Sequence, residues 1–350
     1  MSEDELNLSC PFPIDEYPTV QMVHGGGGRL MNQLLDEMII PTLGEEELAR
    51  RHDGAVLDLP ADRIAYTTDS YVVDPLFFSG GNIGTLAVNG TVNDLAMCGA
   101  EPEFITTAFI LEEGFPMEDL QKIINSLKEA AEKAGVQVAS GDTKVVQKGR
   151  GDGIYINTSG VGIMPEGVCI GPENIEPGDA LIVSGDVGRH GMAVMADREG
   201  LEFETDITSD CAPLNEPVKS LLEAGIDIHF LRDLTRGGLA SAANEAAAQA
   251  ELGLEIEESN VPVHLQVKSS CEILGFDPLY VASEGCMIVA VDRAESEEVV
   301  AILKEHSSCS NAARIGRVVE KHPGRVELTG TIGASRVLEM LSGEQLPRIC

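Results

Sequence analysis

The stretch from Pro116 to Ser140 constrains the fold most. Leu120, Ile123, Ile124, Leu127, Ala131 and Ala134 recur at three- and four-residue spacing, which puts them on one face of a helix. Pro116 suits the first helical position, and Gly135 suits the residue just past the end. Val136 to Ser140 then reads as a strand. A helix this apolar on one side must bury that side against another layer. Strand-like runs at 55–57, 64–68, 153–164, 180–184 and 286–291 alternate with helical runs at 30–40, 83–97, after Gly238, at 296–305 and at 334–341. Both halves therefore mix strands and helices, and the expected class is α+β, built from two mixed α/β domains. Residues 1–44 read as a glycine-rich leader, 165–179 as a Gly- and Pro-rich junction, and 343–350 as a flexible tail. At 350 residues the chain fits two domains of ordinary size. With no Trp, 4% aromatics and 37 Gly, its cores must rest on aliphatic side chains and tight turns.

Charge narrows the function. Lys plus Arg total 24 and Asp plus Glu total 58, so the formal charge is 24 − 58 = −34. That field repels phosphate, which disfavours nucleic acid and anionic membranes as partners. A nucleotide bound here would need metal ions between like charges. The acidic start, Met1-Ser-Glu-Asp-Glu, does not read as a secretory signal, and no run approaches the roughly 20 apolar residues of a membrane span. Eight Cys are scattered without a CxxC pair, so reduced thiols in a cytoplasmic protein are expected and zinc is not.

Common nucleotide fingerprints are missing. There is no GxxxxGK[ST], and Gly25 to Gly28 leads into Arg29-Leu30. Gly185-Asp-Val-Gly188-Arg-His-Gly191 looks like a phosphate-binding turn but lacks Rossmann spacing. The tetraglycine divides evenly between a flexible turn and a functional loop, since four Gly in a row are entropically costly. More telling are five aspartates in strand-end, Gly-adjacent or apolar settings: Asp53, Asp69, Asp94, Asp142 and Asp233. Any one alone is most often a cap or a turn residue. Together they suggest a Mg2+ site, because Mg2+ takes carboxylate oxygens and bridges to phosphate. Asn93 and Asp94 stand out inside an apolar helical run, where both are poor helix formers. Lys144 and Arg236 are candidate phosphate partners or ordinary surface cations. The helix after Gly238 could offer its N-terminus to an anion. Glu284 reads as a general base or as a turn carboxylate. Cys350 is the last residue, and the seven residues before it reach at most about 25 Å from Gly343. It is a thiol on a swinging arm or simply the end of a loose tail. It is not a prenylation box.

The motifs His24 to Gly28, Thr67-Thr-Asp-Ser-Tyr-Val-Val-Asp-Pro75, Gly90 to Met97, Ser140-Gly-Asp-Thr-Lys-Val-Val146, Ser184 to Gly191, Arg232 to Gly238 and Pro347-Arg-Ile-Cys350 resemble those of the HypE family of hydrogenase maturation factors. These are carbamoyl dehydratases within the wider superfamily of aminoimidazole ribonucleotide synthetase. The likeness covers about residues 24–350, and the closing Pro-Arg-Ile-Cys is its discriminating piece. One departure is Ser79, where many relatives have Pro.

The resemblance implies an ATP-binding and dimerisation domain at 45–165, whose β-barrel forms between two protomers of a homodimer, and an α/β domain at 166–342. It implies that a carbamoyltransferase, HypF, loads Cys350 and that the tail carries the S-carboxamide into an ATP site. There the oxygen is phosphorylated and phosphate is eliminated, leaving a thiocyanate. The cyano group then passes to a HypC–HypD complex for the iron of the [NiFe]-hydrogenase cofactor. Asp53, Asp69, Asp94, Asp142 and Asp233, with Asn93 and Arg236, become the expected Mg2+–ATP contacts, the five aspartates as metal ligands. Lys144 is expected to hold the carboxamide or a phosphate, and Glu284 to take the N–H proton. The alternatives are a small-molecule kinase or ligase of the same superfamily, such as a thiamine monophosphate kinase, and a non-catalytic thiol carrier. Selenophosphate synthesis is disfavoured, because Cys10 lies far before the tetraglycine and has no adjoining Lys.

Overall fold

A computed structural model describes residues 13–14, 16–25, 29–44, 62–200, 207–341, 346 and 348–350. Asp53, the strand expected at 55–57 and most of the tetraglycine lie outside these residues. After a 3-10 turn at Met22–Gly25 comes a helical stretch: α1 (Arg29–Leu34), a π-turn (Leu35–Ile39) and α2 (Ile40–Leu43). The first sheet contains β1 (Ile64–Tyr71), β4 (Glu101–Glu112), β5 (Gln137–Val146) and β6 (Ile154–Ile163), in the order β1-β6-β4-β5. Only the β4–β5 pair is parallel. Between β1 and β4 run the two-residue strands β2 (Phe77–Phe78) and β3 (Gly81–Asn82) and then α3 (Ile83–Met97). The helix α4 (Met117–Ala134) joins β4 to β5.

The apolar face read from the sequence is the one α4 buries: Leu120, Ile123, Ile124 and Leu127 are fully enclosed. Pro116 is the N-cap, one residue outside the expected start, and Gly135 closes the helix at φ 73°. The inner helix α3 behaves differently. All of it is buried except Thr85 and Asp94, as expected of a helix that is apolar on every side. Asn82 caps it, its side-chain oxygen accepting from Gly84 N at 2.8 Å. Two glycines let its neighbours come close. A Cβ on Gly84 would lie 2.3 Å from the Ile123 carbonyl oxygen of α4, and one on Gly90 would lie 2.3 Å from the Tyr71 hydroxyl.

The second sheet has seven strands: β7 (Ala180–Val183), β8 (Ile228–Asp233), β9 (Gly253–Glu257), β10 (Met287–Val291), β11 (Ala313–Val319), β12 (Val326–Thr329) and β13 (Ser335–Leu338). Their order is β13-β12-β9-β11-β7-β10-β8. After β7 come α5 (Arg189–Glu199) and α6 (Asn215–Glu223), and after β8 comes α7 (Gly238–Ala250). Then follow α8 (Leu265–Leu274) and α9 (Ser296–Lys304). The small residues of α7 pack on one face of this sheet, and α6 and α9 pack on the other. Ala96 and Met97, at the end of α3, join that second cluster, so α3 fastens both sheets together.

One expected helix is a strand. Within 334–341, Ser335–Leu338 form β13, an edge strand paired antiparallel to β12, with Leu338 buried and Ser335, Arg336 and Val337 exposed. Among the described residues no helix is long and apolar enough to cross a membrane, and all seven described cysteines are free.

Replacing Gly84 with Ala should drive α3 away from α4. The expected loss is about 1–3 kcal/mol of stability, typical of overpacking, read as a lower denaturant midpoint. An unchanged midpoint would remove the close approach as a constraint.

Candidate functional site

Strand alternation sorts the expected residues before any distance is considered. Asp69 lies in register with Thr158 and Thr107, both buried beneath the helices, so it faces α3. Asp142 and Lys144 flank buried Thr143 and point the other way. Asp142 shares a row with Ala108, Asn157 and Ser70 across the open face of the first sheet. Both are inside β5, not in a turn after a strand, and Lys144 Nζ binds the two Asp142 oxygens at 2.6 and 2.8 Å. That bond holds the Asp142 carboxyl below its ordinary value. Asp69 and Asp142 therefore lie on opposite faces of the first sheet.

On the α3 side an acidic centre forms. Thr67 Oγ1 donates to Asp94 Oδ2 at 2.8 Å. Asp233 ends β8 and Glu284 precedes β10, its neighbour; the two are 8% and 3% exposed. Burial raises Asp94, with the Thr67 hydroxyl opposing. Burial and then Asp94 push Asp233 up to about 7. Glu284 rises well above the carboxylate range through burial, then through Asp233, Asp210, Asp69 and Asp94. Among the described residues its Oε1 has no hydrogen-bond partner. A buried oxygen without a donor is costly, and here it is aimed among like charges.

Cys350 belongs to the same centre. Burial raises its thiol, Glu284 and Asp69 raise it further, and Arg236 opposes them. Arg236 sits between β8 and α7 at φ 56°, a conformation uncommon for a side chain other than glycine. The tail is not loose at this end. Ile349 is 5% exposed, and its carbonyl oxygen lies 2.9 Å from His190 Nε2.

Asn93 does not face open space. Its Nδ2 donates to the carbonyls of Ala212 and Glu284, and its Oδ1 accepts from Leu214 N at 2.7 Å. It fastens α3 to the segments that carry Asp210 and Glu284. The turn at 185–191 is likewise occupied internally: the N–H groups of Val187, Gly188 and Gly191 donate to Pro262 O, Ser283 Oγ and Ala282 O.

Two members of the centre escape sequence reading. The Asp210 carboxylate accepts from the N–H groups of Glu284 and Gly285 at 3.3 and 3.2 Å, and burial pushes it up to about 6. The buried Tyr71 hydroxyl faces Thr91 at 3.4 Å and is raised by burial and then Asp69. Tyr71 lies within the Thr67–Pro75 motif, whereas nothing local marks Asp210.

Clustered carboxylates raised by burial and by like charge suit a divalent cation, which would relieve their repulsion. Among the described residues no three His, Cys, Asp or Glu form a ready cage. A Mg2+ here would take one or two of these carboxylates and complete its shell with phosphate and water.

Known proteins share this two-domain fold. Residues 51–164 match the N-terminal domain of AIR synthase related proteins, and 176–329 match the C-terminal domain. A carbamoyl dehydratase HypE of Azotobacter vinelandii is 47% identical over 332 residues, or 95% of this chain and 97% of its own. The chain belongs to the carbamoyl dehydratase HypE family. A crystal structure of hydrogenase maturation protein HypE in complex with ATP covers 95% of this chain and 100% of its own, at 42% identity and a TM-score of 0.92. A crystal structure of a HypE–HypF complex covers 88% and 99%, at 45% identity and a TM-score of 0.78. The two-domain α+β organisation expected from the resemblance is the one observed.

The raised Asp233 sets a pH dependence for the metal-free protein. Its folded value exceeds the unfolded one, so its contribution is complete below about pH 4 and is lost as pH rises through about 7. Melting temperature in a chelator should fall over that window, and Asp233→Asn should flatten the fall. An equal slope in the variant would refute the assignment.

Proposed function

We infer that the chain is an ATP-dependent carbamoyl dehydratase, converting an S-carboxamide on Cys350 to a thiocyanate, the source of cyanide ligands for the iron of the [NiFe]-hydrogenase cofactor. The observation that carries this is the docked tail: Ile349 is buried with its carbonyl bound to His190, Cys350 packs against the first core, and Glu284, Asp69, Asp233 and Arg236 all act electrostatically on its thiol. The carboxamide oxygen attacks the γ-phosphorus of ATP, ADP leaves, and one N–H proton is lost, giving R–S–C(=NH)–OPO3. Loss of the second N–H proton then breaks the C–O bond, releasing phosphate and R–S–C≡N. Phosphorylation is what makes that oxygen a leaving group.

Glu284 is the base we assign to the N–H protons. Its Oε1 has no partner among the described residues, and burial raises its pKa, which makes it a stronger base than an ordinary Glu. Asp69, Asp94 and Asp233, with Asp53 and Asp142, are the residues we assign to Mg2+–ATP. Bound Mg2+ supplies positive charge to the phosphoryl oxygens. Arg236 stands beside the thiol as the cation for the phosphate or carboxamide. Asn93 and Asp210 act from behind, by holding the Glu284 backbone.

Asp142 and Lys144 fit this reading through a dimer. They lie on a sheet face where Tyr66 and Ile64 are 67% and 52% exposed, and a β-barrel closed by a second copy would bring them to a nucleotide running along that seam. Lys144 then meets phosphate or carboxamide there. HypF is the proposed donor to Cys350, as the HypE–HypF complex of a relative supports. A HypC–HypD complex is the proposed acceptor. The kinase alternative is disfavoured by the long stretch of identity with a carbamoyl dehydratase and by the docked thiol, for which a small-molecule kinase has no use.

Incubation with HypF, carbamoyl phosphate and ATP should give a carbamoyl adduct on the peptide ending at Cys350 that then loses the mass of water. An adduct that persists through ATP turnover would sink the reading. Glu284→Gln should keep the adduct and slow its dehydration by at least about 100-fold, the lower range for removal of a general base.

Asp94→Asn should weaken Mg2+–ATP binding by about ten- to 100-fold, the scale of one charged contact, in a calorimetric titration. Unchanged affinity would remove Asp94 from the nucleotide site.

A further inference from the structure

We propose that α5 is the dock of the tail, with His190 and Arg198 as positioning residues that hold the Cys350 side chain in the acidic centre by gripping the main-chain carbonyls of Ile349 and Arg348. The inference rests on the reading that Cys350 carries the reacting group, and it assigns residues to which that reading gives no part.

Spacing supports it first. His190, Val194 and Arg198 recur every four residues and so share one face of the helix. His190 and Arg198 bond the tail directly. Val194 packs in the same apolar cluster as Ile349. Arg198 Nη2 donates to the Arg348 carbonyl at 2.7 Å, and its Nε to the Asp74 carbonyl at 2.7 Å. The same guanidinium thus ties the tail to the segment after β1. Gly191 opens the face: a Cβ there would fall 3.2 Å from Leu346 Cδ1 and 2.6 Å from Val281 Cγ1.

His190 is completely buried, and its two nitrogens have fixed roles. A carbonyl can only accept, so Nε2 carries the proton and donates to Ile349 O. Nδ1 is then the acceptor for the Ser209 hydroxyl, 2.8 Å away. The Phe78 ring meets the imidazole edge-on at 5.2 Å. With its tautomer and plane set, the ring presents one donor in one direction.

Arg348 completes the dock from the tail's side. Its carbonyl accepts from Asp74 N at 3.1 Å, its Nε donates to Val72 O at 3.3 Å, and its guanidinium pairs with Asp152. What α5 grips is carbonyl oxygen, which is the same whether Cys350 is free, carbamoylated or cyanated. The dock therefore holds every form of the tail in one register and leaves the chemistry to the site.

The test uses the full-length chain with Arg198→Ala and, separately, His190→Gln. Arg198 is only partly buried, so its variant keeps the test independent of any folding defect from the buried histidine. Each protein is alkylated with iodoacetamide and the cysteine peptides are weighed over time, with exposed Cys98 and Cys169 as internal references. Cys350 should label about tenfold faster, the equivalent of one buried hydrogen bond, with the references unchanged. In a single turnover of the carbamoylated chain, dehydration should slow about tenfold while the KM for ATP stays constant. Cys350 labelling at the wild-type rate in Arg198→Ala, or a rise no larger than at Cys98 and Cys169, overturns the proposal. If the wild-type chain shows no ATP-dependent dehydration, the reaction assigned above fails, and the labelling still decides the dock.

Discussion

Burial of α3 on every side is the constraint on which the rest depends. The helix lies over the first sheet, touches α4 through Gly84 and Tyr71 through Gly90, and ends in the apolar cluster of the second sheet. A helix enclosed this way has no solvent face on which polar residues can sit without consequence. Asn93 is tolerated because all its hydrogen-bonding groups are matched by backbone from the other sheet's connections. Asp94 is tolerated because it opens into the acidic centre. The packing that joins the two sheets therefore also sets the distance between the carboxylates of the first and those of the second.

That junction has an electrostatic character of its own. Asp94, Asp233 and Glu284 are each raised by burial and then by a neighbouring carboxylate: Asp94 by Asp69, Asp233 by Asp94, and Glu284 by Asp233. The fold holds together charges that would separate if they were free. Holding them together costs stability, which is how strain at a functional site commonly arises. Only a small part of the acidic residues behind the −34 charge belongs to this centre.

Much of the framework was legible. Periodicity gave α3, α4 and the strands β6, β7 and β10 to within a residue or two, because each has a long, regular apolar pattern. The 334–341 segment misleads because Val337, Leu338 and Leu341 mimic a helical stripe, while pairing with β12 decides its state. The motif aspartates were visible as residues but not as faces: a strand turns alternate side chains to opposite sides. Asp69 and Asp142 therefore part company although each sits in a motif of the same kind. Asp210, Asn93 as a clamp and His190 were illegible for a different reason. Their partners are 74, 191 and 159 residues away, and only tertiary packing brings them together.

The raised thiol of Cys350 carries a consequence for the life of the protein between turnovers. Oxidants and stray electrophiles attack the thiolate, not the thiol. Seated among buried carboxylates, Cys350 is kept protonated, while Cys98 and Cys169 stand exposed at the surface. The proposed dehydration pocket is thus also a shelter, which the sulfur leaves to become a nucleophile.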